Sequence, residues 1–244
     1  MTPVVTTSSA SRLRDVITQL RQADVSGSAL RGWALSVGED PNDYTACVKA
    51  LSDVVLLIQQ VEREIKALPN ISHDLYTVQL GRLRTAIINS NPNATLGQLI
   101  GAIDAVVLQG LEFCADQLDR TSSETKLSEG ELATLKSQIE QLIESVTKAD
   151  VDPAFRTFLV VRLEELRSAI VAYRLFGIEP LRKAVEGAVG AFVMVHKEAD
   201  TERNRRTAMQ FIKDIGAIQN VINGAVVLGH VIPPIVQGLL GRGS

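Results

Sequence analysis

The chain reads as all-α: a multi-helix bundle of about eight to nine helices that closes on an apolar C-terminal helix and arm. Three observations predict this. Apolar side chains recur every three to four positions in nearly every segment, capping and stop residues punctuate those segments at helix lengths, and no stretch alternates apolar with polar residues between turn signals. Of the 244 residues, 45% are apolar and only 4% aromatic, so Leu, Ile, Val and Ala must form the core. A fold of this size buries roughly three-quarters of its unfolded surface and needs neither disulfide nor metal to stand.

Residues 1–8 are rich in Thr and Ser and predict a frayed end, followed by a first amphipathic helix carrying Leu13, Val16, Ile17 and Leu20, with Ser9 or Ser11 as cap. A short helix around Leu30, Trp33 and Leu35 stops at Gly38. Asp40-Pro41 then predicts a capped start to a long helix with Val48, Leu51, Val55, Ile58, Val61 and Ile65 on one face, ending at Pro69-Asn70. Ser72 caps the next, with Leu75, Val78, Leu83 and Ile87 inward, and the run Asn89 to Asn93 breaks it.

Thr95 opens a helix expected to run to about Leu118. Ser128 with Glu131 forms a capping box before Leu132, Leu135, Ile139, Leu142 and Val146. Asp152-Pro153 is a cap followed by a first-turn proline, ahead of Phe155, Leu159, Leu163, Leu166 and Ile170. Gly177 is a stop, Glu179-Pro180 reopens the pattern through Leu181, Val185, Val189 and Phe192, and a last helix begins near Asp200. Val4-Val5 and Phe192–Val195 are the only places where extended chain is an alternative. No fixed-period repeat is present, which argues against a solenoid.

The polar stretch from Arg120 to Lys126 is the best candidate boundary. It divides an N-terminal helical region, residues 1–120, from a C-terminal one, residues 127–244, with a single continuous domain as the alternative.

The formal charge of −3 offers no broad attraction to phosphate backbones, so nucleic acid is not an expected partner. Cys47 and Cys114 sit far apart inside apolar helical patterns, where a thiol acts as a small hydrophobe. The first ten residues have neither the cationic nor the long apolar region of an export signal, and the expected location is the cytoplasm, with membrane association open.

Chemistry leaves no local trace. His73, His196 and His230 have no carboxylate, cysteine or second histidine at ligand spacing. There is no Gly-rich phosphate loop, nucleophile elbow, zinc-protease helix or Cys-x-x-Cys. Glu164-Glu165 lies among Arg162 and Arg167 as a solvated stripe. No catalytic residue, cofactor or metal is therefore expected. Gly97, Gly101 and Ala105 place small residues at four-residue steps, as do Ala184, Ala188 and Ala191 with Gly187 and Gly190, which predicts close helix packing.

The C-terminal quarter is the most unusual region. From Ile215 to Gly241 there is no Asp, Glu, Lys or Arg, enough residues to cross a bilayer core as helix. Residues 201–244 carry Arg203, Arg205, Arg206, Lys213 and Arg242 against Glu202 and Asp214, a net +3 in a chain of formal charge −3. Phe211, Ile215, Ile218 and Ile222 nonetheless follow the spacing of a helix packed centrally in a bundle, and Pro233-Pro234 stops it.

The leading expectation is a non-enzymatic helical interaction protein that self-associates or binds a protein partner through apolar helix faces. The contact residues expected for it are Phe211, Ile215, Ile218, Ile222, Val226, Ile232 and Ile235. The alternative is a membrane-active effector whose segment 208–240 enters or lies on lipid, with Gly216, Gly224 and Gly229 allowing tight packing and Arg203, Arg205 and Arg206 holding headgroups. An enzyme or small-molecule sensor with a pocket between helices has the least support.

Overall fold

A computed structural model describes residues 6–24, 26–90, 94–121, 124–196 and 202–225. Ten helices are present among them: α1 Ser9–Gln22, α2 Ala29–Val37, α3 Tyr44–Ala67, α4 His73–Ile88, α5 Leu96–Ala102, α6 Ala105–Thr121, α7 Glu129–Lys148, α8 Pro153–Phe176, α9 Ile178–His196 and α10 Glu202–Ala225. The only strands among the described residues are two-residue pieces, β1 Thr6–Thr7 and β2 Glu124–Thr125, paired antiparallel. The all-α expectation holds, and the helix count exceeds eight to nine because one expected helix is two.

That helix was to run unbroken from Thr95 to about Leu118. Thr95 does open it, with the capping box closed by Gln98, but it ends at Ala102 and the chain restarts at Ala105 after a 71° bend. Asp104 causes the restart. Its Oδ1 accepts the Val107 backbone N–H at 2.9 Å, and its Oδ2 accepts from Arg82 on α4 at 2.6 Å. An acid among apolar neighbours carries no stop signal of its own, so periodicity alone passes over the break.

Other starts move by one to three residues, each set by which side chain caps the helix. Ser8, rather than Ser9 or Ser11, caps α1, accepting the Ser11 N–H. Thr7 and Ser8 are buried, so residues 6–8 are not a frayed end. Asp43 caps α3, while Asp40 closes a turn on the Asn42 N–H and Pro41 stays outside the helix. The capping box at Ser128–Glu131 and the cap of Asp152 before Pro153 stand as expected. So do the stops at Gly38 (φ 80°) and Gly177 (φ 71°), where positive φ excludes most side chains. Phe192–Val195 lies within α9; Val4-Val5 lies outside the described residues.

Two of the helix faces turn differently from expectation. On α3 the buried side chains are Cys47, Ala50, Val54, Leu57, Ile58, Val61 and Ile65, which leaves Val48 exposed and Leu51 and Val55 half-buried. On α4 Leu80, Leu83 and Ile87 face inward and Leu75 and Val78 outward. Both helices are apolar around more of their circumference than one buried face can use.

Buried side chains gather into two clusters. One joins α1–α6 around Trp33, Leu57 and Leu83, and also takes Leu175 from the end of α8. The other joins α7–α10 around Leu135, Leu163, Phe211 and Ile215. α8 packs on α7 and α9 and also touches α1 and α3, so it is the element shared by both clusters. The polar linker runs along their junction.

Candidate functional site

At that junction the N-terminal turn of α1 is polar yet buried: Ser8, Ser9, Ser11 and Arg12 are all nearly inaccessible. Ser8 accepts the Ser11 N–H as the helix cap, and the other three find an acid or a carbonyl. Ser9 donates to Glu64 of α3 and Ser11 to Asp119 of α6. Arg12 donates through Nη1 to Glu124 Oε1 at 2.6 Å and through Nε to the Leu175 carbonyl at 2.9 Å. Glu124 also receives the Ile178 N–H, the first of α9. Burial pushes the Glu124 carboxyl above its ordinary value, and the facing Arg12 guanidinium opposes that shift. Close by, the Tyr173 hydroxyl accepts the Leu127 N–H at 2.6 Å, and burial raises its pKa.

This knot ties α1, the linker and the α8–α9 corner together. Most of its groups are spent on one another, as in a structural joint, although Asp119 Oδ1 is buried without a hydrogen-bond partner. Beside it lies a cleft of about 210 Å³ edged by Arg12, Asp15, Ser36, Lys126, Glu129 and Arg174. The cleft has charges of both signs, with Asp15 and Glu129 beside Arg12, Lys126 and Arg174.

The second feature is apolar. Leu51, Ser52, Val55 and Leu56 of α3 and Ile87, Ile88 and Ser90 at the end of α4 line a groove of about 490 Å³ that contains no charged residue. Its edges stand out into solvent, with Leu56 51% and Ile88 61% exposed. Along α3 the exposed stripe continues through Val48 to Tyr44, at three- and four-residue steps from the groove. Two ion pairs border it, Lys49–Asp53 within α3 and Arg84–Glu62 across the two helices.

The residues singled out from sequence fall elsewhere. Phe211, Ile215, Ile218 and Ile222, expected to contact a partner or lipid, are buried in the second core cluster, so the face they make is already consumed inside the bundle. Val226, Ile232 and Ile235 lie outside the described residues. Arg203, Arg205 and Arg206 belong to the first turns of α10. Gly97 and Gly101 are on α5 and Ala105 opens α6 beyond the bend, so they share no helix stripe.

An added Cβ at Gly101, Gly187, Gly190 or Gly216 meets nothing within 4 Å, so none of these marks a close approach. A close helix approach comes instead at Gly110, where an added Cβ would fall 2.5 Å from Gln79 Cβ, and a second at Gly32, against Leu96 and Leu20 at 3.0–3.2 Å. Sequence reasoning missed the first because Gly110 stands without a second small residue at helical spacing.

The cysteines behave as expected: both are free and buried, and burial pushes the Cys114 thiol up to about 12, far from a reactive thiolate. His73 bonds the Leu68 carbonyl at the end of α3. No cluster of His, Cys, Asp and Glu suited to a metal exists among the described residues. Comparison with protein-family models, with curated proteins and with solved structures returned no match for this chain.

Proposed function

We propose that this is a non-enzymatic docking protein that engages another protein surface through the apolar α3–α4 face. One observation carries the reading: α3 buries a single face in its own core and leaves a second apolar stripe, Tyr44, Val48 and Leu56 with half-buried Leu51 and Val55, open to solvent beside an uncharged groove. A surface helix normally turns charge outward, and a contiguous apolar patch on a folded surface marks an interaction site. The docking face is thus moved from α10, where the sequence suggested it, to α3 and α4.

A photo-crosslinking amino acid at Ser52, at the groove, tests this in the protein's own cells. Covalent adducts to protein are expected and are lost when Leu56→Glu is added; a chain that forms none, or whose adducts ignore Leu56→Glu, sinks the reading.

A membrane reading keeps one specific support. Among the described residues α3 is the single unbroken helix long and apolar enough to cross a bilayer, with a mean hydropathy of 1.2 over its most apolar window and only 33% of that window buried. Flotation of the full chain with anionic vesicles separates the readings. Deleting 208–244 would not, because it removes the core residues Phe211 to Ile222. Ile232→Glu with Ile235→Glu is the informative variant for the C-terminal segment, and a chain that stays in buffer at all lipid ratios removes the membrane reading.

A further inference from the structure

We infer that the cleft at the junction of the two clusters binds a free amino acid, its carboxylate on the donors of Arg12, Tyr173 and Lys126 and its ammonium on Asp15. The inference stands apart from the docking reading, which concerns α3 and α4. Two side chains lining the cleft, Arg12 and Tyr173, are more than nine-tenths buried and each keeps an unused donor. Arg12 gives Nε to the Leu175 carbonyl and Nη1 to Glu124; its third nitrogen, Nη2, has no hydrogen-bond partner among the described residues and is not sealed from solvent. The Tyr173 hydroxyl accepts the Leu127 N–H, and its own proton has no acceptor among the described residues. The two groups are close, since the Arg12 charge acts on the Tyr173 hydroxyl. Buried donors are nearly always paired, so two left open on one cleft point to an acceptor brought by a ligand.

The charges at the mouth select the rest of the ligand. Lys126 is exposed and makes no ion pair among the described residues. Asp15 pairs with its neighbour Arg14 at 3.3 Å through Oδ1, and its Oδ2 has no partner among the described residues. Glu129 and Arg174 hold each other at 3.4 Å, and Arg174 lies against Gly38, where no Cβ stands in its way. A plain anion meets repulsion from Asp15 and Glu129, and a plain cation from Lys126 and Arg174. A zwitterion places each of its charges against the opposite sign.

Size sets the class. The cleft of about 210 Å³ has room for about seven waters and falls below the roughly 300 Å³ at which pockets for drug-sized ligands begin. An amino acid suits this space, and a nucleotide or a peptide does not. Val16 and Val37, both buried, offer its side chain an apolar wall. α1 and α2 supply one side of the cleft, and the linker, α7 and α8 the other, so the bound amino acid bridges the two clusters.

Calorimetric titration of the full chain with each common amino acid in turn tests this, followed by the N-acetyl and amide forms of the tightest binder, which lack one charge each. Saturable binding of at least one amino acid is expected, with a rise in Tm, and neither derivative should reproduce it. Asp15→Asn and Lys126→Gln, both at positions reached by solvent, are expected to weaken binding about tenfold each with helicity unchanged, the worth of a charge-assisted hydrogen bond. A chain that binds none of the amino acids at millimolar concentration overturns the inference. So does one that takes either derivative equally well, or whose binding ignores both substitutions.

Discussion

Glu124 shows how much a single side chain can carry at the junction of two cores. Its carboxylate holds Arg12 and the first N–H of α9, and truncating it leaves the Arg12 guanidinium buried without its anion. Because a quarter of Glu124 is still exposed, Glu124→Ala is expected to cost about 3 kcal/mol, the low end for breaking a buried pair. Urea denaturation measures it.

Glu124→Gln keeps an acceptor and drops the charge that burial penalises, so it should cost less. The pH dependence has a definite sign. A carboxyl raised in the fold binds its proton more tightly folded than unfolded, so its contribution is greatest in acid and declines as pH rises from the ordinary carboxylate value through the raised one. Comparing parent and Glu124→Gln between about pH 4 and about pH 7 should show the parent gaining on the variant as pH falls; a gap that moves the other way refutes the assignment. The rest of the knot was hidden in the sequence because Ser, Arg and Glu near a terminus and in a polar linker read as solvated. Only their meeting across more than a hundred residues, Arg12 with Glu124, makes them a buried joint.

Among the elements, caps were legible where the capping side chain directly preceded the apolar run, as at Thr95, Ser128 and Asp152, and were misplaced where two candidates competed, as at Asp40 and Asp43. The break at Asp104 is the costliest omission, since it turns the chain by 71° and sends α6 back along α1 and α4.

Accepting the Val107 N–H holds the Asp104 carboxyl below its ordinary value, so it stabilises the fold above the ordinary carboxylate range and that support is lost as pH falls through the depressed value. Asp104→Ala is expected to lower Tm at neutral pH, with the difference from the parent vanishing in acid. Asp104→Asn should recover most of the loss by keeping the cap. Thermal melts followed by circular dichroism check both; equal losses in the two variants would mean that the Arg82 pair, and not the cap, supports the bend.

On the scale of the molecule, two core clusters depend on α8. Leu175 sits at the end of that helix yet belongs to the first cluster, packed at 3% exposure among side chains of α1–α6. Leu175→Ala is expected to cost about 2–5 kcal/mol. Because its partners are in the first cluster, amide exchange should quicken in α1–α6 before it does in α7–α10. Uniform loss of protection would show instead that the two clusters unfold as one. The exposed α3–α4 face belongs to this scale too, because among the described residues no second layer packs over it.

By itself the sequence determined the helical class, nearly every stop, most of the starts and the inward faces of α1, α7 and α8, since these depend on spacing and capping within a few residues. It also read Phe211, Ile215, Ile218 and Ile222 as one apolar face. What it could not determine is which apolar face would be spent inside. α3 and α10 each offer more hydrophobic stripe than a helix exposes by choice, and local periodicity is the same whether the stripe meets a neighbour or water. Tertiary packing decided it: α10 was covered by α7 and α9, whereas α3 received cover on one side from α1, α2, α4, α6 and α8 and, among the described residues, kept its second stripe exposed.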